Sequence, residues 1–207
     1  MSGGEKPSKE IILEHINKSD ILIGVDGGCE YFLEVNKSPN YIVGDFDTLS
    51  KEKLEEIEKS KVRKYEYDAE KDYTDSELAF ILAFELGATE IIFQGAIGGR
   101  FDHTLGSVGL LKNALRNGVF ATIVDDKNKI FMINKSGILK KDEKYKYISF
   151  LAYDSKVENF SIVGAKYEIN DYTLEVGDNR TISNEFLSDS ISIDFTSGNI
   201  IVVYSKD

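Results

Sequence analysis

Up to Gly118 the chain alternates short β-rich apolar runs with longer stretches of helical period; beyond it, short apolar runs follow one another with only turn residues between them. The first rhythm is the βαβα order of a parallel sheet covered by helices on both faces. It predicts strands at 21–25 (ILIGV), 41–44 (YIVG), 62–67 (VRKYEY) and 90–94 (EIIFQ), with helices near 8–18, 28–36, 50–60 and 74–86. A further helix follows "FDH", where Leu105, Val108, Leu111 and Leu115 recur at helical spacing and Gly118 stands at a C-terminal cap. In the second rhythm "FATIV", "KIFMI", "KYISFLA", "FSIVG", "SISIDF" and "NIIVVYS" are separated by the turn compositions "DDKN", "KDEK", "YDSK" and "TSGN". The expectation is an N-terminal α/β domain with a Rossmann-like parallel sheet over 1–119, then an all-β domain, sandwich or barrel, over 120–207.

At 207 residues, 42% of them hydrophobic, such a chain can bury a proper core. Its formal net charge of −11 argues against nucleic acid or an anionic membrane as the main partner, since both select for basic surfaces. Cys29 is the only cysteine, so an intrachain disulfide and a multi-cysteine zinc site are both excluded. No apolar run approaches the length of a membrane span, and the opening "MSGGEKPSKE" lacks the apolar core of a signal peptide. The compartment expected is the reducing cytoplasm.

Open parallel sheets bind ligands in the crevice beyond the carboxyl ends of their strands. Four segments fall there. "VDGG" carries Asp26 and Gly27, "GDFDTLS" carries Asp45 and Asp47, "EKDYTDSE" carries Lys71, Asp72 and Asp75, and "GAIGGRFDH" carries Gly95, Gly98, Gly99, Arg100, Asp102 and His103. Carboxylates gathered at one edge repel, by about 4 kcal/mol for two charges 4 Å apart at an effective dielectric near 20, so a cation is expected among them. Mg2+ fits, because it takes oxygen ligands and is shared with substrate phosphates. The glycine stretch lets backbone N–H groups approach phosphate oxygens, and Arg100 offers a planar fork to hold two of them. Some of these residues also fit purely structural duties. Thr74 and Glu77 form a capping box with Asp75 in the first turn, Asp102 fits an N-cap, and His103 fits a hydrogen-bonding strut as well as a general base. His15 reads as solvated, and Cys29 as a packing residue.

Taken in order, "SGGEKPSKE", "VDGG", "VGDFDTLS", "EKDYTDSELA", "GAIGGRFDHTLG" and the late "TISNEF" resemble the bacterial thiamine pyrophosphokinase family over essentially the whole chain. The resemblance implies an α/β domain, a C-terminal β-sandwich and a homodimer whose active site is shared between chains. It also implies transfer of the β,γ-diphosphoryl group of ATP, with magnesium, to the hydroxyl of thiamine, giving thiamine diphosphate and AMP. By the same resemblance Asp45, Asp47 and Asp75 hold metal, Asp26 and Asp72 support them, Lys71 lies near the phosphates, and Arg100 with Asp102 serves in the glycine loop. Ser183 and Asn184 of "SNEF" would meet thiamine from the partner's β domain. Two departures stand out. Family members begin with a strand ahead of Ser-Gly-Gly, whereas here Met1 abuts Ser2, and animal relatives set a tryptophan against thiamine, whereas this chain has none. An aliphatic residue near Ile200, or a tyrosine, would take that place.

Other readings of the acidic loops are a pterin diphosphokinase of the archaeal type and a non-catalytic nucleotide or metal sensor. A metal-dependent phosphoesterase is disfavoured, because such sites add several histidines and this chain has two.

Overall fold

The computed structural model describes residues 1–66 and 72–207, and the chain divides into two units, Met1–Asp126 and Lys127–Asp207. Ser8, Ser50 and Thr74 open helices α1 (Lys9–Ile16), α3 (Lys51–Glu58) and α4 (Asp75–Glu85), each side chain accepting a hydrogen bond from the N–H three residues on. This is the N-cap chemistry expected of those residue types. A 3-10 turn (Asp26–Cys29) and the short α2 (Glu30–Glu34) follow strand β1 (Ile23–Val25), and α5 runs from Phe101 to Arg116. Gly118, at φ +71°, lies just past its C-cap, Asn117, where a left-handed residue belongs.

Strands β1, β2 (Tyr41–Gly44) and β3 (Arg63–Glu66) form a parallel sheet, with Gly24 opposite Ile42 and Val43 opposite Tyr65. Successive side chains point to opposite faces, and helices cover both. Val25, Tyr41 and Val43 pack on Leu78, Ala79 and Leu82 of α4, while Ile42 packs with Cys29, Phe46, Leu49 and Ile57. Every side chain of β3 is exposed, and its Arg63, Lys64 and Glu66 suit an edge strand. Strand β4 (Glu90–Phe93) pairs in parallel with β5 (Phe120–Val124). The "FATIV" run therefore belongs with the parallel architecture, and the chain divides after Asp126 where the change of sequence rhythm had pointed to 119.

The second unit comprises β6 (Asn128–Ile133), β7 (Gly137–Lys140), β8 (Tyr147–Val163), β9 (Ile169–Leu174), β10 (Ser190–Asp194) and β11 (Ser197–Ser205). The order is β6-β11-β8-β10-β7 with β9 also on β8, all antiparallel. "KYISFLA" and "FSIVG" are one strand, not two. Asp154 and Asn159, both at positive φ, interrupt the pairing register within β8 and bend it. The sheet thus curls around a single core that gathers Phe150, Ile200 and Val202 with Phe160, Ile162 and Ile191.

Candidate functional site

Asp26 leaves β1 in the left-handed region, at φ +43°, and is half-buried. Its Oδ1 accepts a hydrogen bond of 3.3 Å from the Phe46 N–H, which ties the end of β1 to the loop after β2. The approach requires a glycine at 44: a Cβ there would lie 1.7 Å from Asp26 Oδ1. Burial first, and then a hydrogen bond to Asp75, push the Asp26 carboxyl up to about 7, with the charges of Asp75 and Asp45 acting in the same direction. Asp26, Asp75 and Asp45 are thus close enough to feel one another. Asp47 is exposed, and its N–H donates to Asp45 Oδ1 at 3.1 Å, so the Asp-x-Asp pair forms its own turn. Asp72 is exposed just ahead of α4, and Lys71 lies outside the described residues.

Gly95, Gly98 and Gly99 all adopt positive φ. A Cβ at Gly95 would strike the Ser2 carbonyl at 2.1 Å, whereas one at Gly99 would meet nothing within 4 Å, so the loop is crowded at its start and open at its end. Arg100 is the N-cap position of α5, without a side-chain capping bond, and Asp102 sits in the first turn. The Arg100 fork closes on Asp102, Nε to Oδ1 at 3.2 Å and an Nη to Oδ2 at 2.6 Å, and holds that exposed carboxyl below its usual range. His103 is exposed beside it.

The first five residues, which no helical or strand pattern marks, join these pieces. Met1 C=O accepts from the Val25 N–H at 2.9 Å, Ser2 N–H donates to the Gln94 carbonyl at 2.7 Å, and Gly4 N–H donates to the Gly95 carbonyl at 2.7 Å. The Ser2 hydroxyl lies 3.0 Å from that of Ser76, the residue after Asp75. One extended segment therefore fixes the end of β1, the start of α4 and the glycine loop together. The cues in sequence are the "SGGEKPSKE" resemblance and, within it, the pair Gly3-Gly4, which allows such close backbone approach. His15, read as solvated, is half-buried, with Nδ1 2.9 Å from the Ile11 carbonyl and 3.2 Å from Gln94 Nε2. Cys29 is buried and its thiol is pushed up to about 12 by desolvation, which leaves packing as its role.

In the second unit Asn184 is buried. Its Oδ1 accepts from the N–H groups of Tyr167 (3.0 Å) and Glu185 (2.9 Å), and its Nδ2 donates to the Tyr167 carbonyl at 2.8 Å. The amide is committed to holding this loop, while its backbone pairs with Ile148 in both directions. Ser183, at φ +59°, is exposed, and its N–H donates to Ser149 Oγ at 2.9 Å. Of the two residues only Ser183 turns a polar side chain outward.

The family description "Thiamin pyrophosphokinase, catalytic domain" matches residues 12–123, and "Thiamin pyrophosphokinase, vitamin B1 binding domain" matches residues 136–200. The chain belongs to the thiamin pyrophosphokinase family. Thiamine pyrophosphokinase of Bacillus subtilis (strain 168) is 31% identical over 208 residues, spanning 100% of this chain and 97% of that protein. Its crystal structure matches with a TM-score of 0.90 at 30% identity, covering 100% of this chain and 97% of that one. The crystal structure of thiamin pyrophosphokinase from Geobacillus thermodenitrificans matches with a TM-score of 0.86 at 29% identity, over 100% and 95%. A thiamin pyrophosphokinase fold thus carries the acids at the carboxyl ends of β1 and β2 and at the start of α4. Among the described residues no three His, Cys, Asp or Glu side chains form a ready metal cage. Two touching carboxyls with a third nearby fit a hard cation that completes its shell with water and phosphate oxygen.

Proposed function

We infer that this chain is a thiamine diphosphokinase, a kinase-type transferase that moves a diphosphoryl group from ATP to thiamine and releases AMP. The observation that carries this reading is that the catalytic and vitamin B1-binding descriptions of one family match successive parts of the same chain. Mg2+ is the cation proposed, through Asp45, Asp47 and Asp75 with Asp26 and Asp72 beside them; when bound, it would neutralise charge developing on the transferred phosphates. Asp26 and Asp75 already share a hydrogen bond, and Asp75 raises the proton affinity of Asp26, which is the condition that a nearby cation relieves. The glycine loop would offer N–H groups to the phosphates at Gly98 and Gly99, and Arg100 would exchange its Asp102 contact for phosphate oxygens. In-line attack of the thiamine hydroxyl on the β-phosphorus is then chiefly a matter of positioning. An Asp of the cluster accepts the hydroxyl proton.

The finer reading of the architecture is a Rossmann-like catalytic unit and a β-sandwich, supported by helices on both faces of β1 and β2 and by the single core inside the curled sheet. We further propose a cytoplasmic homodimer in which Ser183 of one chain completes the thiamine site of the other. The deciding assay follows AMP release with thiamine and Mg2+ each omitted in turn. AMP formed only when both are present supports the reading; ATP binding without AMP release would favour a sensor, and turnover of hydroxymethylpterin in place of thiamine a pterin enzyme.

A further inference from the structure

The glycine loop is backed by a second layer of peptide groups. Gly4 N–H donates to the Gly95 carbonyl at 2.7 Å, and Glu5 N–H donates to the Ile97 carbonyl at 3.1 Å. The two layers are in close contact: a Cβ at Gly4 would lie 2.5 Å from the Gly95 carbonyl oxygen, and one at Gly98 would lie 2.5 Å from the Glu5 Cβ. Tyr31 of α2 reaches the same place with its side chain. Its hydroxyl donates to the Gly4 carbonyl at 2.9 Å, and its ring lies so near the loop that a Cβ at Gly95 would be 3.4 Å from a ring carbon. Lys6 continues the attachment, with Nζ 5.9 Å from the centre of the Tyr31 ring and bonded to Glu34 of α2 at 2.7 Å.

The Gly4 carbonyl and the Glu5 N–H belong to one peptide unit. In a planar trans peptide these groups point in opposite directions, so a single plane is held by Tyr31 on one side and by Ile97 on the other. The Ile97 carbonyl in turn shares a peptide unit with the Gly98 N–H. Because that carbonyl faces Glu5, the Gly98 N–H is directed to the opposite side of the loop. Two peptide planes in series thus run from the Tyr31 hydroxyl to the Gly98 N–H, and hydrogen bonds aligned in series polarise one another. Burial pushes the Tyr31 phenol up from its ordinary value, which keeps it a neutral donor at neutral pH.

We propose that Tyr31 is a positioning residue for the nucleotide: through the Gly4–Glu5 peptide it fixes the Ile97–Gly98 peptide, and so the direction in which the Gly98 N–H meets a phosphate oxygen. This rests on the reading of the glycine loop as the site of the ATP phosphates. Without the hydroxyl the Gly4 carbonyl loses its side-chain partner, the first plane tilts more freely, and the Gly98 N–H is presented over a wider range of directions. Thiamine makes no use of this relay, so the effect is confined to the nucleotide.

Tyr31→Phe removes the hydroxyl and keeps the ring against Gly95. Calorimetric titration of the full chain with ATP and Mg2+, thiamine absent, should show Kd raised about 3- to 10-fold, the factor expected for one hydrogen bond of ordinary strength. The KM for ATP should rise by a similar factor with the KM for thiamine unchanged, and the amide resonances of Glu5 and Gly98 should shift. An unchanged Kd for ATP overturns the proposal even where the melting temperature falls, because Tyr31 then only supports the fold. Equal rises in both KM values also overturn it, since loosening of the whole unit would move both. A wild-type chain that binds ATP but releases no AMP with thiamine and Mg2+ refutes the diphosphokinase reading, and the titration of Tyr31→Phe still decides this proposal. A wild-type chain that binds no ATP overturns both.

Discussion

Asp26 keeps its proton in the fold because burial and Asp75 penalise the anion, so the folded chain binds that proton more tightly than the unfolded chain does. With the carboxyl raised from 3.8 to about 7, the folded state holds extra proton between those values. Stability contributed by this group is therefore full at low pH and declines as pH rises toward 7. In chelator, the melting temperature of the native chain should fall from about pH 4.5 to about pH 7.5 relative to Asp26→Asn, which does not titrate there. A parallel pair of curves would show that the proton is not held at this residue. The acids nearest the proposed metal are tested by charge removal at constant volume. Asp45→Asn or Asp47→Asn should lower AMP formation at least about 100-fold with the thermal melt preserved, and near-normal turnover in both would remove them from the mechanism. Glycines separate by what surrounds them. Gly44→Ala would drive a methyl into Asp26 Oδ1, while Gly99→Ala meets open space and bears only the strain of φ +67°, about 1 kcal/mol. Melting curves and ATP titration should show Gly44→Ala losing both stability and nucleotide affinity, and Gly99→Ala losing little stability.

At the scale of elements, the loop between β9 and β10 is held by one side chain. Asn184 makes three hydrogen bonds to backbone groups and is buried, so Asn184→Ala would leave those groups unpaired at about 1–3 kcal/mol each before relaxation. Denaturant unfolding should record a loss of a few kcal/mol for Asn184→Ala, whereas Ser183→Ala, at an exposed hydroxyl, should leave stability unchanged and raise the KM for thiamine. The reverse pattern would mean that the loop is organised by Ser183. The long β8 carries the other half of the second unit's architecture. Its bend at Asp154 and Asn159 lets one strand serve both arms of the curled sheet, and the "YDSK" composition that reads as a turn is a bulge inside it.

For the whole molecule, the proposal of a site shared between chains predicts recovery by mixing. An inactive Asp45→Asn chain and an inactive Ser183→Ala, Asn184→Ala chain, allowed to exchange subunits, should regain a fraction of wild-type AMP formation, because each mixed dimer holds one site with both halves intact. The Asn184 change makes it necessary to verify by native mass that the double variant still dimerises. Absence of recovery in verified heterodimers would place the whole site within one chain.

Local chemistry was legible wherever a residue acts on its neighbours in sequence. The capping serines and threonine, the helical stripe from Leu105 to Leu115, Gly118 beyond α5 and the parallel strands before each acidic loop all follow from short-range geometry. So did the position of Asp26, Asp45 and Asp75 beyond strand or turn, and the family itself. Strands β7 and β9 went unseen because "GILK" is only four residues long and "INDYTL" sets Asn-Asp, a turn composition, inside its apolar residues; neighbours, not propensity, make them strands. "FATIV" looked like the other β runs because periodicity does not tell a parallel partner from an antiparallel one. Only the folded chain decided that Asp26 and Asp75 share a hydrogen bond, that Asn184 is spent on its own loop, that Arg100 rests on Asp102, and that Met1–Glu5 spans β1 and the glycine loop. Each of those facts depends on segments far apart in sequence coming within a few ångströms, and burial, dielectric and pairing act over that distance in space.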